Sequence, residues 1–162
     1  MDLLTIRRYE SSDKQKIKDL YKLASVNSEI GYRNGPWEAD FDDIEGHFLK
    51  DGEFLVGLIN DEIVVMGGYR KVSGVVGQIR RMRTHPDHRR RGYAQQIIKK
   101  LEETAKRNQI KELRLKTSTQ QKMAQNFYEK NGYAKMTTDK KEYYEEGGGK
   151  TFEVIWYKKE LS

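Results

Sequence analysis

The sequence predicts one α/β domain of the α+β kind, a mixed and mostly antiparallel sheet of about seven strands with helices on both faces. Three observations predict it. A length of 162 residues suits a single domain, 1–162, with a core of its own. Apolar runs between residues 54 and 84, broken by the turn signals Asn60-Asp61 and Ser73-Gly74, read as an antiparallel meander. Residues 75–117 then read strand, loop, helix, strand, a unit that sets its two strands parallel with a right-handed crossover.

Taken in order, residues 4–9 alternate and form the first strand. Ser12 is placed to cap a helix, with Gln15 at the capping-box position and Ile17, Leu20, Tyr21 and Ala24 at helical spacing. Residues 31–36 are loop, and Pro36 stops any helix before it. Phe41, Ile44 and Phe48 then suggest a second helix, capped by Asp40. Strands follow at 54–59, 63–70 and 75–84. Ala94, Ile97, Ile98, Leu101 and Ala105 put one apolar stripe on a helix that ends near Arg107-Asn108. Residues 112–117 are the fifth strand, and Ser118 with Gln121 opens a helix that runs to Lys130. Asn131-Gly132 supplies its left-handed exit. The last strands are 133–138 and 151–158. Between them Tyr143-Tyr144-Glu145-Glu146 and Gly147-Gly148-Gly149 read as a loop, either a bare hairpin tip or a cover over a binding site.

Bulk properties exclude several functions. With no cysteine there is no disulfide, thiolate nucleophile or cysteine-based zinc site. Three histidines without ligand spacing argue against a metal. The start of the chain lacks a signal pattern and no apolar run is long enough to span a bilayer, so a cytoplasmic protein with no membrane partner is expected. The net charge of +6, from 31 basic and 25 acidic residues, suits a nucleic-acid partner or simply a charged soluble surface. The basic residues are scattered except at 80–91, so no nucleic-acid role is expected.

The basic cluster has its own chemistry. Arg89-Arg90-Arg91-Gly92-Tyr93-Ala94 joins a strand to the first turn of a helix. The first N–H groups of a helix lack partners and carry the positive end of its dipole, so a phosphate can take them. Gly92 lets the backbone approach a ligand closely, and arginine forks suit phosphate oxygens. A pyrophosphate is the natural ligand.

Arg89-x-x-Gly92-x-Ala94 resembles the Q/R-x-x-G-x-G/A signature of the GNAT acetyltransferases, with His85-Pro86-Asp87-His88 in the place of that family's V-x-P. Ala124-x-x-Phe127-Tyr128-Glu129-Lys130-Asn131-Gly132-Tyr133 resembles its A-x-x-x-Y-E-K-x-G-F element. The two matches keep the family's order and cover roughly residues 77–134. The resemblance implies acetyl-CoA as cosubstrate, with no metal, and a small-molecule or peptide amine as acceptor. The fourth and fifth strands would splay apart around the cofactor. Its pyrophosphate would lie on the amides of Arg89, Arg90, Arg91, Gly92, Tyr93 and Ala94. A β-bulge near Met82, Arg83 and Thr84 would free an amide for the thioester carbonyl. Gln121, where many members have Asn, and Ala124 would line the cofactor. Tyr32, Trp37, Glu38 and Asp40 would contact the acceptor. Members often dimerise, so a homodimer is an expectation.

Transfer to an amine requires a polarised carbonyl, a deprotonated amine and a protonated leaving thiolate. By the resemblance, Tyr128 is the general acid. The base is open, because Gln78 stands where many members carry Glu and an amide takes no proton at neutral pH. Glu38, Asp40, ordered water or an amine that arrives neutral each remain candidates. Acids at 38, 40, 42 and 43 hint at a cationic acceptor. The rivals are a non-catalytic module that binds coenzyme A and a basic nucleic-acid binder.

Overall fold

The computed structural model describes residues 3–26, 36–137, 141–146 and 150–162. Strands β1 (Thr5–Arg8), β2 (Glu53–Ile59), β3 (Glu62–Ser73), β4 (Val76–Thr84), β5 (Glu112–Ser118), β6 (Ala134–Lys135) and β8 (Lys150–Glu160) form a sheet in the order β1-β2-β3-β4-β5-β8-β6. Every pairing is antiparallel except β4 with β5. An additional strand, β7 (Tyr143–Glu146), pairs with β8. The stretch expected to be loop is therefore strand over Tyr143–Glu146, while residues 147–149 lie outside the described residues. Its alternation is masked in the sequence by a paired Tyr-Tyr and Glu-Glu. Asn60 and Asp61 both take positive φ, 49° and 64°, the tight turn that joins β2 to β3.

Helix α2 (Tyr93–Arg107) covers one face of the sheet. Its stripe of Ile97, Ile98, Leu101 and Ala105 is fully buried against Val65, Tyr69, Ile79, Leu113 and Leu115. Side chains of helix α3 (Lys122–Lys130), Phe127 and Tyr128, pack on the same cluster. The opposite face carries α1 (Lys14–Val26), whose Ile17, Leu20 and Tyr21 join Phe41, Ile44 and Phe48 over Phe54, Val56 and Met66. Each buried aliphatic or aromatic side chain contributes roughly 1.5–3 kcal/mol, so these two layers hold the sheet between them.

Three helix starts differ from expectation. A 3-10 turn, Ser11–Asp13, precedes α1, and Asp13 rather than Ser12 organises it. The buried Asp13 carboxylate accepts the Glu10 N–H at 2.9 Å and two bonds from Arg7 at 2.7 and 2.9 Å. The second helix is a 3-10 segment, Pro36–Asp42, followed by a π-helical turn, Glu45–Leu49. Asp40 does not cap it. Its carboxylate turns inward to Arg81, and Asp43 instead accepts the Gly46 N–H at 3.0 Å. Helix α3 starts at Lys122, later than a Ser118 cap implies, although the expected contact from Gln121 to the Ser118 N–H is made at 3.1 Å.

Candidate active site

The parallel seam between β4 and β5 is short. Val76, Gly77 and Gln78 pair with Glu112, Leu113 and Arg114, and pairing ends there. Strand β4 goes on along β3 as far as Thr84 opposite Val65, while β5 goes on along β8 as far as Ser118 opposite Val154. The two strands therefore diverge beyond Ile79 and Leu115, and a notch opens between them.

A bulge lies on the β4 side of the notch. Met66 pairs with Arg83 and Gly68 with Arg80, so Arg81 and Met82 together face Gly67. The extra residue stands outside the ladder and leaves backbone groups free of it. The Met82 sulfur occupies the space that a Cβ on Gly67 would need. Arg81 sits at φ 64°, a left-handed conformation that costs a non-glycine residue about 1–2 kcal/mol.

Asp40 holds Arg81 there. The two bonds from Arg81 Nε and Nη2 to the Asp40 carboxylate are 2.9 and 2.7 Å long. The Arg81 guanidinium lies 4.7 Å from the Phe41 ring centre and 5.1 Å from that of Tyr21. Burial alone lowers the Arg81 pKa, but the Asp40 bonds outweigh it and hold the group above its ordinary value. Sequence reasoning missed this clamp, because nothing in Arg80-Arg81 marks one arginine for a conformation normally given to glycine.

At the far end of β4, a 3-10 turn, Pro86–His88, leads to the arginine loop. Gly92 is the N-cap of α2 at φ 79°, and a Cβ added there meets no atom within 4 Å. Arg90, also left-handed at φ 63°, is exposed, as is Arg91. Arg89 instead donates to the Ala24 carbonyl of α1 at 3.4 Å. Tyr93 and Ala94 begin α2 and are half-buried. The loop thus offers open space, exposed cations and first-turn amides without partners among the described residues, which fits a pyrophosphate.

Across the notch, α3 ends in a Schellman motif. Tyr133 N–H bonds the Tyr128 carbonyl at 3.0 Å, Gly132 N–H bonds that of Glu129 at 3.1 Å, and Gly132 takes φ 92°. The rings of Tyr128 and Tyr133 meet edge-on at 6.1 Å, and Phe127 flanks Tyr128 at 5.3 Å. The Tyr128 ring is thereby held by packing, while its hydroxyl makes no hydrogen bond among the described residues. Burial pushes its pKa up to about 12, and the Arg83 charge pulls against that shift. Arg83 itself donates to the Met82 carbonyl at 2.8 Å and stacks over Tyr21 at 4.8 Å. Gln121 Oε1 accepts from Thr117 Oγ1 at 3.0 Å and from the Ser118 hydroxyl and N–H at 3.1 Å, which ties the start of α3 to the end of β5.

The sequence profile of the acetyltransferase (GNAT) family matches residues 17–133, which include the seam, the bulge, the arginine loop and Tyr128. This chain belongs to the GNAT acetyltransferase family. An acetyltransferase of Yersinia pestis is 43% identical over 70 residues, a match covering 41% of this chain and 48% of that protein. The chain thus spans about half the length of the curated relatives it matches. A GNAT-family acetyltransferase from Staphylococcus aureus Mu50 shares the fold at a TM-score of 0.84, with 20% identity, covering 99% of this chain and 100% of that one. YncA from Salmonella typhimurium, solved with its cofactor acetyl-CoA, aligns at a TM-score of 0.78 with 16% identity over 98% and 94% of the two chains.

In this GNAT chain the residues expected to contact the acceptor lie at and before the 3-10 segment that precedes the π-helical turn. Tyr32 lies outside the described residues, and Trp37 and the half-buried Glu38 fall in the 3-10 segment. Asp40 is 4% exposed and committed to Arg81, so it presents no carboxylate to a ligand. Asp42 accepts a bond from Lys18 at 2.7 Å, and Asp43 accepts the Gly46 N–H. The acids that hinted at a cationic acceptor are largely used by the fold. Among the described residues no metal-ligating cluster forms and no helix is long and apolar enough to cross a membrane.

Proposed function

We propose that this chain transfers the acetyl group of acetyl-CoA to a primary amine by direct attack, with Tyr128 as general acid. The observation that carries the reading is the three-pair seam, which ends where the bulge begins and leaves a notch between β4 and β5. Acetyl-CoA supplies an activated thioester and a pyrophosphate. The first-turn amides of α2, with Gly92 at the cap and Arg90 and Arg91 beside it, hold the pyrophosphate. Backbone N–H at Met82 polarises the carbonyl oxygen. Gln121 and Ala124 flank the cofactor from α3.

The amine nitrogen forms the new C–N bond as the C–S bond breaks. Tyr128 gives its proton to the departing sulfur and regains one from solvent, and the amine's own proton leaves to water. Asp40 does not act as base, since both of its oxygens accept bonds from Arg81. Direct attack suits a chain without cysteine.

The test is thiol release from acetyl-CoA over a panel of amines, wild type against Tyr128→Phe. Losing general acid catalysis typically lowers kcat about 10²–10⁴-fold. That loss with an unchanged acetyl-CoA KM is the expected result, and full kcat in Tyr128→Phe refutes the role. Tight coenzyme A binding with no turnover on any amine supports the second reading, a non-catalytic cofactor-binding module, which Gln78 in place of Glu favours.

A further inference from the structure

We propose that the acceptor amine carries an anionic group, a carboxylate or a phosphate, and that Arg80 receives it. The inference rests on the acetyltransferase reading above and adds the chemical class of its substrate.

Gly77 and Ile79 of β4 turn toward the α2 core, so Gln78 and Arg80 turn to the α1 face, beside the bulge. Arg70 shares that face, since its neighbour Tyr69 is buried in the α2 core and Arg70 pairs with Gln78 across the ladder. Arg81 and Arg83 reach the same face through their contacts with Tyr21. Among the described residues the carboxylate that reaches these arginines is the buried Asp40, and Arg81 takes both of its oxygens. Arg80 stands 3.9 Å from Asp40, outside hydrogen-bond range, with its side chain 29% exposed. It makes no hydrogen bond among the described residues.

A guanidinium has five donors and accepts nothing, so a half-buried one whose carboxylate neighbour at 3.9 Å is already bonded by Arg81 keeps donors for an anion. Burial lowers the Arg80 pKa, and Arg81 and Arg70 add to that effect while Asp40 opposes it. The neighbouring position does not relieve the charge. Gln78, two residues before Arg80 on the same face, is neutral and adds no counter-charge. Arg80 immediately precedes the bulge at which the acetyl group is transferred. An amine placed there with its anionic group on Arg80 needs only a short spacer, as in an amino acid or a phosphorylated amino alcohol. Fork geometry suits either oxyanion.

The test is kcat/KM for matched acceptors: an α-amino acid, its amide and its decarboxylated amine, with phosphoethanolamine beside ethanolamine. The charged member of at least one pair is expected to exceed its neutral partner by about 10- to 100-fold, the range of a charge-assisted hydrogen bond. Which pair responds separates carboxylate from phosphate. Arg80→Gln should bring the ratio close to one and Arg80→Lys should keep part of it, a pattern that a general loss of stability does not produce. Turnover of neutral amines or polyamines equal to or better than that of the anionic acceptors overturns this inference and leaves the acetyltransferase reading standing. No turnover of any amine overturns both.

Discussion

Asp40→Asn tests the clamp on the β4 bulge. The carboxylate is 4% exposed and the Arg81 side chain 9% exposed, joined by two short bonds. The change keeps the shape of residue 40 and removes its charge, which leaves the Arg81 guanidinium buried without a counter-ion. Breaking a buried pair from one side destabilises by about 3–5 kcal/mol. The left-handed backbone at Arg81 then also loses the charged partner that helped to hold it, while the Tyr21 and Phe41 contacts remain. For a domain of this size each kcal/mol lowers Tm by about 2–4 °C, so a fall of roughly 6–20 °C is expected. Urea denaturation of Asp40→Asn, Asp40→Leu, Arg81→Met and the combined Asp40→Leu/Arg81→Met chain forms the assay, with additivity judged from the last three. The combined chain should recover much of the loss, because an apolar pair leaves no orphaned charge. A single-variant effect under 1 kcal/mol, or strict additivity of the two, refutes the clamp. An undiminished stability with only a raised KM for the amine would return Asp40 to the acceptor site.

Three further outcomes follow from the same geometry. With burial raising the Tyr128 pKa to about 12, kcat/KM should stay flat on its alkaline side through pH 10; a limb near 10 that vanishes in Tyr128→Phe refutes the raised pKa of this half-buried acid. Gly92→Glu should abolish coenzyme A binding by calorimetry while the fold persists, since the site is open space and the only strain is the residue's positive φ; unchanged affinity in a folded variant removes the loop from the cofactor site. The Arg7 bonds hold Asp13 below its ordinary pKa of 3.8. Its contribution to stability is thus present above about pH 4 and lost as pH falls through the folded value, and Asp13→Asn should flatten the acid limb of a stability–pH curve.

Much of this was legible in the chain because local rules and tertiary demands agree. The α2 stripe is periodic and lands on the core as its spacing requires. The Asn60-Asp61 turn and the Gly132 exit each place the right residue at a left-handed position. The place of the arginine loop between strand and helix was legible because Gly92 marks the left-handed position that opens α2. What was not legible depends on partners far away in sequence. Asp40 looks like a helix cap until Arg81, 41 residues later, takes its carboxylate. The segment from Pro36 to Leu49 has helical spacing, yet 3-10 and π turns replace a regular helix once that inward pull is made. Strand β7 has no alternation to announce it and exists through its pairing with β8.

The short seam also bears on how the molecule opens. Strands β1 to β4 with α1 carry their own core on the α1 face, and β5, β6 and β8 pair among themselves. Among the described residues three strand pairs, two bonds to the Val75 carbonyl and the core shared with α2 and α3 join the two sets. Native-state hydrogen exchange should accordingly resolve two cooperative units, with amides beside the notch at 79–84 exchanging before those of β2, which is paired on both sides. A ligand lodged between β4 and β5 touches both units at once. At a hundredfold excess over its Kd it adds about 2.7 kcal/mol to the native state, and that gain should appear as protection in both. Filling the notch would make the two halves unfold as one.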